Sequence, residues 1–165
     1  MDMMKFKNYI FLIVLGVLLA SCSSDNSGSG EEFIRATVET LSFESISELL
    51  SGPTAAKIDG GDEITYIVQG ADNAGNILVL TVSNYQGPGT YNIGADTQNS
   101  SGSGFFFNQQ LEAWSSAIDG GTGSITVITD DDEETTGNFE FTGVSELDAS
   151  TRFVSNGRFS VNFEN

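Results

Sequence analysis

An apolar period of two is the feature that most constrains what this chain can fold into. Ile64, Tyr66 and Val68 alternate with Thr65, Ile67 and Gln69, with Ile67 the one apolar exception. Phe139 and Phe141 alternate with Asn138, Glu140 and Thr142, and Phe159, Val161 and Phe163 alternate with Ser160, Asn162 and Glu164. Successive side chains of a strand point to opposite faces, so each segment predicts a strand with one buried and one wet face. The segment from Ile77 to Val82 reads ILVLTV, apolar on both faces, and predicts a central strand. The β-branched run from Ser124 to Thr129, SITVIT, predicts another.

The punctuation between these segments suits hairpins. Asp72-Asn73-Ala74-Gly75-Asn76 separates two strong strands, and Gly87-Pro88-Gly89 and Asp119-Gly120-Gly121 are further turn signals. Asn156-Gly157 predicts a tight turn or bulge at positive φ, followed by a strand that inserts Phe159, Val161 and Phe163 into the core. The acidic run Asp130 to Glu134 falls between two strands and so belongs at a hairpin tip. Helical signal is confined to Ser45–Leu50 and Asn108–Ser116, enough for a turn or two each. The expectation is an all-β domain of roughly eight to ten antiparallel strands, a sandwich or partly closed barrel.

Ahead of this domain the chain reads differently. Lys5 and Lys7 precede an uncharged, mostly apolar stretch from Tyr9 to Ala20, which ends in Leu19-Ala20-Ser21-Cys22. A basic start, a short apolar core and small residues before a cleavage point are the parts of a secretory signal. A cysteine directly after Ala-Ser is what a lipobox requires, so Cys22 is expected to be acylated and to become the N-terminus. A run of about a dozen apolar residues is too short to span roughly 30 Å of hydrocarbon. The organisation expected is a lipoprotein signal peptide over 1–21, a lipidated Cys22 with a flexible Ser/Gly linker over 22–30, and one β domain over 31–165. The linker would reach on the order of 15 Å. Ser23, and not Asp, follows the cysteine, which argues against inner-membrane retention and for the outer membrane.

Charge and composition exclude several classes of function. The chain carries 6 Lys and Arg against 23 Asp and Glu, a net charge of −17. The leader holds Asp2, Lys5 and Lys7, so its removal leaves −18. Such a surface repels nucleic acid and anionic headgroups, and the lipid on Cys22 becomes the expected hold on a membrane. Histidine is absent and Cys22 is the one cysteine, which excludes His-dependent triads, Cys–His dyads and any intrachain disulfide. No cofactor is expected.

Strung together, the elements resemble a known group. Ser21-Cys22-Ser23-Ser24-Asp25, Phe33-Ile34-Arg35-Ala36, the pair Ile64 to Val82, Gly89-Thr90-Tyr91, Gly123-Ser124-Ile125-Thr126-Val127, Gly137-Asn138-Phe139-Glu140-Phe141 and Asn156-Gly157-Arg158-Phe159-Ser160-Val161 follow one another in order. This series resembles the small cell-envelope lipoproteins of Bacteroidota that carry a domain of unknown function. The resemblance implies a cell-envelope lipoprotein with an all-β fold, and it supplies no catalytic residue.

Three sets of residues are candidates for chemistry. Asp130, Asp131 and Asp132 could place several oxygens around calcium, although the run lacks calcium-loop spacing and also reads as a solvated tip that discourages edge pairing. Phe105, Phe106 and Phe107, with Trp114 and Tyr91, could form an aromatic surface for a ligand, or pack into the core and under loops. Carboxylates such as Glu112 and Asp119 could do acid/base work only at a separation that the sequence does not fix. The reading is therefore a non-enzymatic β-module that binds a glycan or an envelope protein or has a structural role. A carboxylate-dependent hydrolase and an accessory subunit of an envelope complex are its rivals.

Overall fold

The computed structural model describes residues 31–49, 51–96, 100–131 and 133–163. Cys22, its leader and its linker lie outside them, as does Asp132. The described residues form eleven strands and no α-helix. They are β1 (Phe33–Val38), β2 (Leu41–Ile46), β3 (Thr54–Asp59), β4 (Ile64–Ala71), β5 (Ile77–Val82), β6 (Gly89–Gly94), β7 (Gly102–Phe107), β8 (Ala113–Ser115), β9 (Thr122–Asp130), β10 (Glu134–Val144) and β11 (Thr151–Asn162).

Every ladder is antiparallel, and all the strands join one sheet in the order β2-β1-β11-β10-β8-β7-β5-β4-β3. The sheet forks at β10. Most of that strand pairs with β9, which pairs in turn with β6, while Val144 at its far end pairs with Ser115 of β8. An isolated parallel bridge from Ala55 to Phe163 then brings the edge strand β3 to the end of β11. The result is the partly closed barrel that the alternation allows.

Apolar residues of one phase fill its interior. Ile34, Tyr66, Val68, Leu78, Leu80, Ile125, Val154 and Val161 are fully buried, with Phe43, Phe141 and Phe159 almost so. ILVLTV behaves as a central strand. Val79, on the opposite phase to Leu78 and Leu80, is also buried, beneath a sheet face that carries Phe105 opposite it. Ile64 departs from its expected phase: it opens β4 at the barrel rim and stays exposed.

The helical expectations do not hold. Ser45 and Ile46 complete β2, with the Ser45 side chain buried in the sheet, and a turn follows. At Asn108 the side-chain oxygen accepts from the backbone N–H of Gln110 and of Glu112, both at 3.0 Å, closing a tight turn. An Asn that bonds its own downstream backbone competes with helix formation, and β8 follows at once. That three-residue strand and the short edges bring the count to eleven, above the eight to ten expected.

Asn156-Gly157 is a bulge and not a turn between strands, because β11 runs through it unbroken. The register slips there against both β10 and β1, and the hairpin turn lies instead between Ser145 and Ser150. Asn156 takes the positive φ, 53°. Gly157 supplies room: a Cβ on it would sit 2.5 Å from the Phe139 ring.

Candidate functional site

The richest chemistry lies at the rim of the barrel where β3 and β9 end and β4 begins. On β3, Lys57 shares the inward phase of buried Ala55 and lies opposite Tyr66 of β4. Asp130 closes β9, and its side chain is only 6% exposed. The Lys57 ammonium lies 2.5 Å from Asp130 Oδ1, and the Tyr85 hydroxyl donates to Asp130 Oδ2 at 2.7 Å. Oδ2 thus holds a hydrogen bond, while Oδ1, buried and without a hydrogen bond, faces the ammonium as an ion pair. A charge in that position is tolerable only with such partners.

Rings surround the pair. Tyr66 stacks on Tyr85 with centroids 4.7 Å apart, and Tyr91 lies tilted beside Tyr85 at 5.5 Å. The Tyr66 hydroxyl shares a 2.8 Å hydrogen bond with Thr135, and Lys57 Nζ sits 4.3 Å from the centre of the Phe163 ring. Burial holds both the Tyr66 and Tyr85 phenols well above the usual tyrosine range, because a phenolate there would lose its hydration.

Above this floor opens a depression of about 540 Å³, whose walls include Asp59, Glu63, Tyr85 and Gln86. Its size falls within the usual range of small-molecule sites, about 300–1,000 Å³. The loop from β3 to β4 is shaped by Asp59, whose Oδ1 accepts from Gly61 N–H at 2.7 Å, and by the positive φ of Gly61. The lining is dominated by acceptors, and the one cation in it, Lys57, is already held by Asp130. Such a wall suits a neutral or cationic ligand rich in hydrogen-bond donors.

Of the three calcium candidates, Asp132 lies outside the described residues, and the other two are turned to different partners. Asp130 is turned to Lys57 and Tyr85, while Asp131 Oδ1 accepts from the backbone N–H groups of Glu133 and Glu134 and shapes the hairpin tip. Those backbone donors hold the Asp131 carboxyl below its ordinary range. Among the described residues no three carboxylates are grouped as metal ligands.

Nor do the candidate aromatics meet on one surface. Phe106 points inward and packs 6.0 Å from Trp114, which is buried and donates its indole N–H to Ser150 at 3.0 Å. Phe105 and Phe107 lie on the outer face of the same strand, 6.5 Å apart and nearly parallel. Tyr91 alone reaches the rim, where its hydroxyl donates to the Gly87 carbonyl. Glu112 accepts from Asn108 within its turn, and no bond joins it to Asp119 among the described residues.

Sequence reasoning missed Lys57 and Tyr66 as site residues and placed Tyr85 only as an aromatic near a turn. One signal was there to be read. Lys57 follows Ala55 on the inward phase of a strand, where a charge needs a buried partner. Comparison with curated proteins and with solved structures finds no match. Residues 51–161, from the turn before β3 into β11, match the family model of Domain of unknown function (DUF6252), and the chain belongs to that family.

Proposed function

We propose that this chain is a lipid-anchored lipoprotein of the cell envelope whose β domain is a non-catalytic binding module, with the depression at the barrel rim as its site. The anchor rests on the basic start, the short apolar core and Cys22 after Ala20-Ser21. Two or three acyl chains make such an anchor stable, at about 0.8 kcal/mol per buried methylene. Outer-membrane placement and kinship with the Bacteroidota lipoproteins belong to the same reading.

The observation that carries the binding role is the acceptor-rich wall set on a floor that needs no ligand to order it. Asp130 already pairs with Lys57 and accepts from Tyr85. Asp59, Glu63 and Gln86 offer acceptors to the hydroxyls of a neutral glycan, the ligand class that best matches them. The hydrolase reading draws less support, because Asp130 is tied to Lys57 and Tyr85 and, among the described residues, no activated nucleophile stands beside it.

The test is calorimetric titration of the full-length acylated protein in neutral detergent with a panel of neutral oligosaccharides. Binding weakened at least tenfold by Gln86→Ala or Glu63→Ala is the expected result. Glycosidic or ester turnover abolished by substituting a single carboxylate would instead establish the hydrolase. Stoichiometric co-purification with one envelope protein, without glycan binding, would establish the accessory subunit.

A further inference from the structure

A second concavity lies on the outside of the barrel, away from the rim site, and its lining balances one arginine against one glutamate where the rim is acidic. The strand registers align Glu44, Arg35, Arg158, Asn138, Thr126 and Thr90 in one row across β2, β1, β11, β10, β9 and β6. Directly opposed side chains on such neighbours stand about 4.5–5.5 Å apart at Cβ. Two arginines face each other in this row, which is unfavourable unless one is compensated. Arg35 is the compensated one. Its guanidinium contacts Glu44 at 2.6 Å and Glu31 at 3.4 Å, and the Glu44 hydrogen bond raises its pKa further.

Arg158 is different. Its side chain makes no ion pair or hydrogen bond among the described residues, in a protein with a net charge of −17. It borders a groove of about 320 Å³ that Asn138, Asn156, Ser124 and Glu140 also line. The side-chain amides of Asn138 and Asn156 likewise lack partners among the described residues. The bulge in β11 builds this groove. It adds one residue to the strand, bends it, and turns Asn156 outward at φ 53°.

We propose that this groove is a second binding site, for a saccharide bearing a single carboxylate. A guanidinium fork matches a carboxylate in two parallel hydrogen bonds. The amides and hydroxyls beside it match the ring hydroxyls of a sugar, and no exposed apolar side chain lines the groove to receive a peptide side chain. Glu140 in the wall and the acidic surroundings disfavour a dianionic phosphate and leave room for one negative charge.

The experiment titrates the full-length acylated protein in neutral detergent with a trisaccharide of two neutral sugars and one terminal uronic acid, and with the same trimer after reduction of that carboxylate to an alcohol. The acid should bind at least tenfold more tightly than the reduced trimer, and only the acid should weaken as salt rises from 0.05 to 0.5 M, as a screened ion pair must. Arg158→Ala should remove that preference, and Arg158→Lys should restore part of it. Arg158 is exposed, so unchanged melting of both variants shows that the loss is one of recognition. Equal binding of the two trimers, no binding of either, or indifference to Arg158→Ala overturns the proposal. Loss of acid binding in Gln86→Ala also overturns it, by moving the saccharide to the rim, and leaves the rim reading standing.

Discussion

Replacing Lys57 by Met leaves the Asp130 carboxylate in its pocket with the Tyr85 hydroxyl as its remaining partner. Removing one member of a fully buried ion pair costs about 3–5 kcal/mol. Asp130 meets that condition at 6% exposure, but Lys57 is 33% exposed, so water reaches its end of the pair. Screening of that kind reduces the expected loss to about 2 kcal/mol. Asp130→Asn should cost less, about 1 kcal/mol, because the amide oxygen still accepts from Tyr85 and Lys57 can turn to water. The double variant holds no stranded charge and should be no less stable than Lys57→Met alone. Urea melts of the four proteins close the cycle, with a coupling of about 1–2 kcal/mol expected. If the double variant loses the full sum of the two single losses, Lys57 and Asp130 do not stabilise one another and the floor of the rim site is wrongly described.

Phe159, 2% exposed and stacked 6.5 Å from Phe139, should cost about 3–5 kcal/mol as Phe159→Ala, while outward-facing Asn162→Ala should be nearly neutral. Equal shifts in the denaturant midpoints of those two variants would put the phase of β11 in error. Stability should decline above about pH 10, because the unfolded chain releases tyrosine protons that burial retains on Tyr66 and Tyr85. Both phenols are raised, so their contribution is full below the unfolded pKa and is lost as pH climbs beyond it. Tyr85→Phe should flatten this alkaline decline in urea midpoints from pH 9 to 11, and an unchanged slope counts against the buried phenol. Cys22→Ala should abolish incorporation of labelled palmitate, and continued labelling of that variant would refute the lipobox assignment.

Strand phase was legible because it is local. Tyr66 with Val68, Phe139 with Phe141 and Phe159 with Val161 fall on the buried side that their alternation predicts. What alternation leaves open is which phase points inward when both are apolar, as in Phe105-Phe106-Phe107. That choice is made by neighbours distant in sequence. Gly104 shares its face with Phe106, and a Cβ there would meet the Phe141 ring at 2.5 Å. The small residue makes room for Phe141 from β10, and this contact commits Phe106 to the core and Phe105 and Phe107 to the outside. The same dependence hid both candidate sites. Lys57 meets Asp130 across 73 positions of sequence, and Arg158 meets Asn138 through the register of one hairpin. Neither pairing leaves a spacing motif, because closure of the sheet, and not proximity along the chain, brings the groups together. The usable trace is a residue whose chemistry conflicts with its place. Lys57 on an inward phase and Arg158, unpaired among the described residues of an acidic protein, are two such conflicts, and each stands in a concavity of the barrel surface.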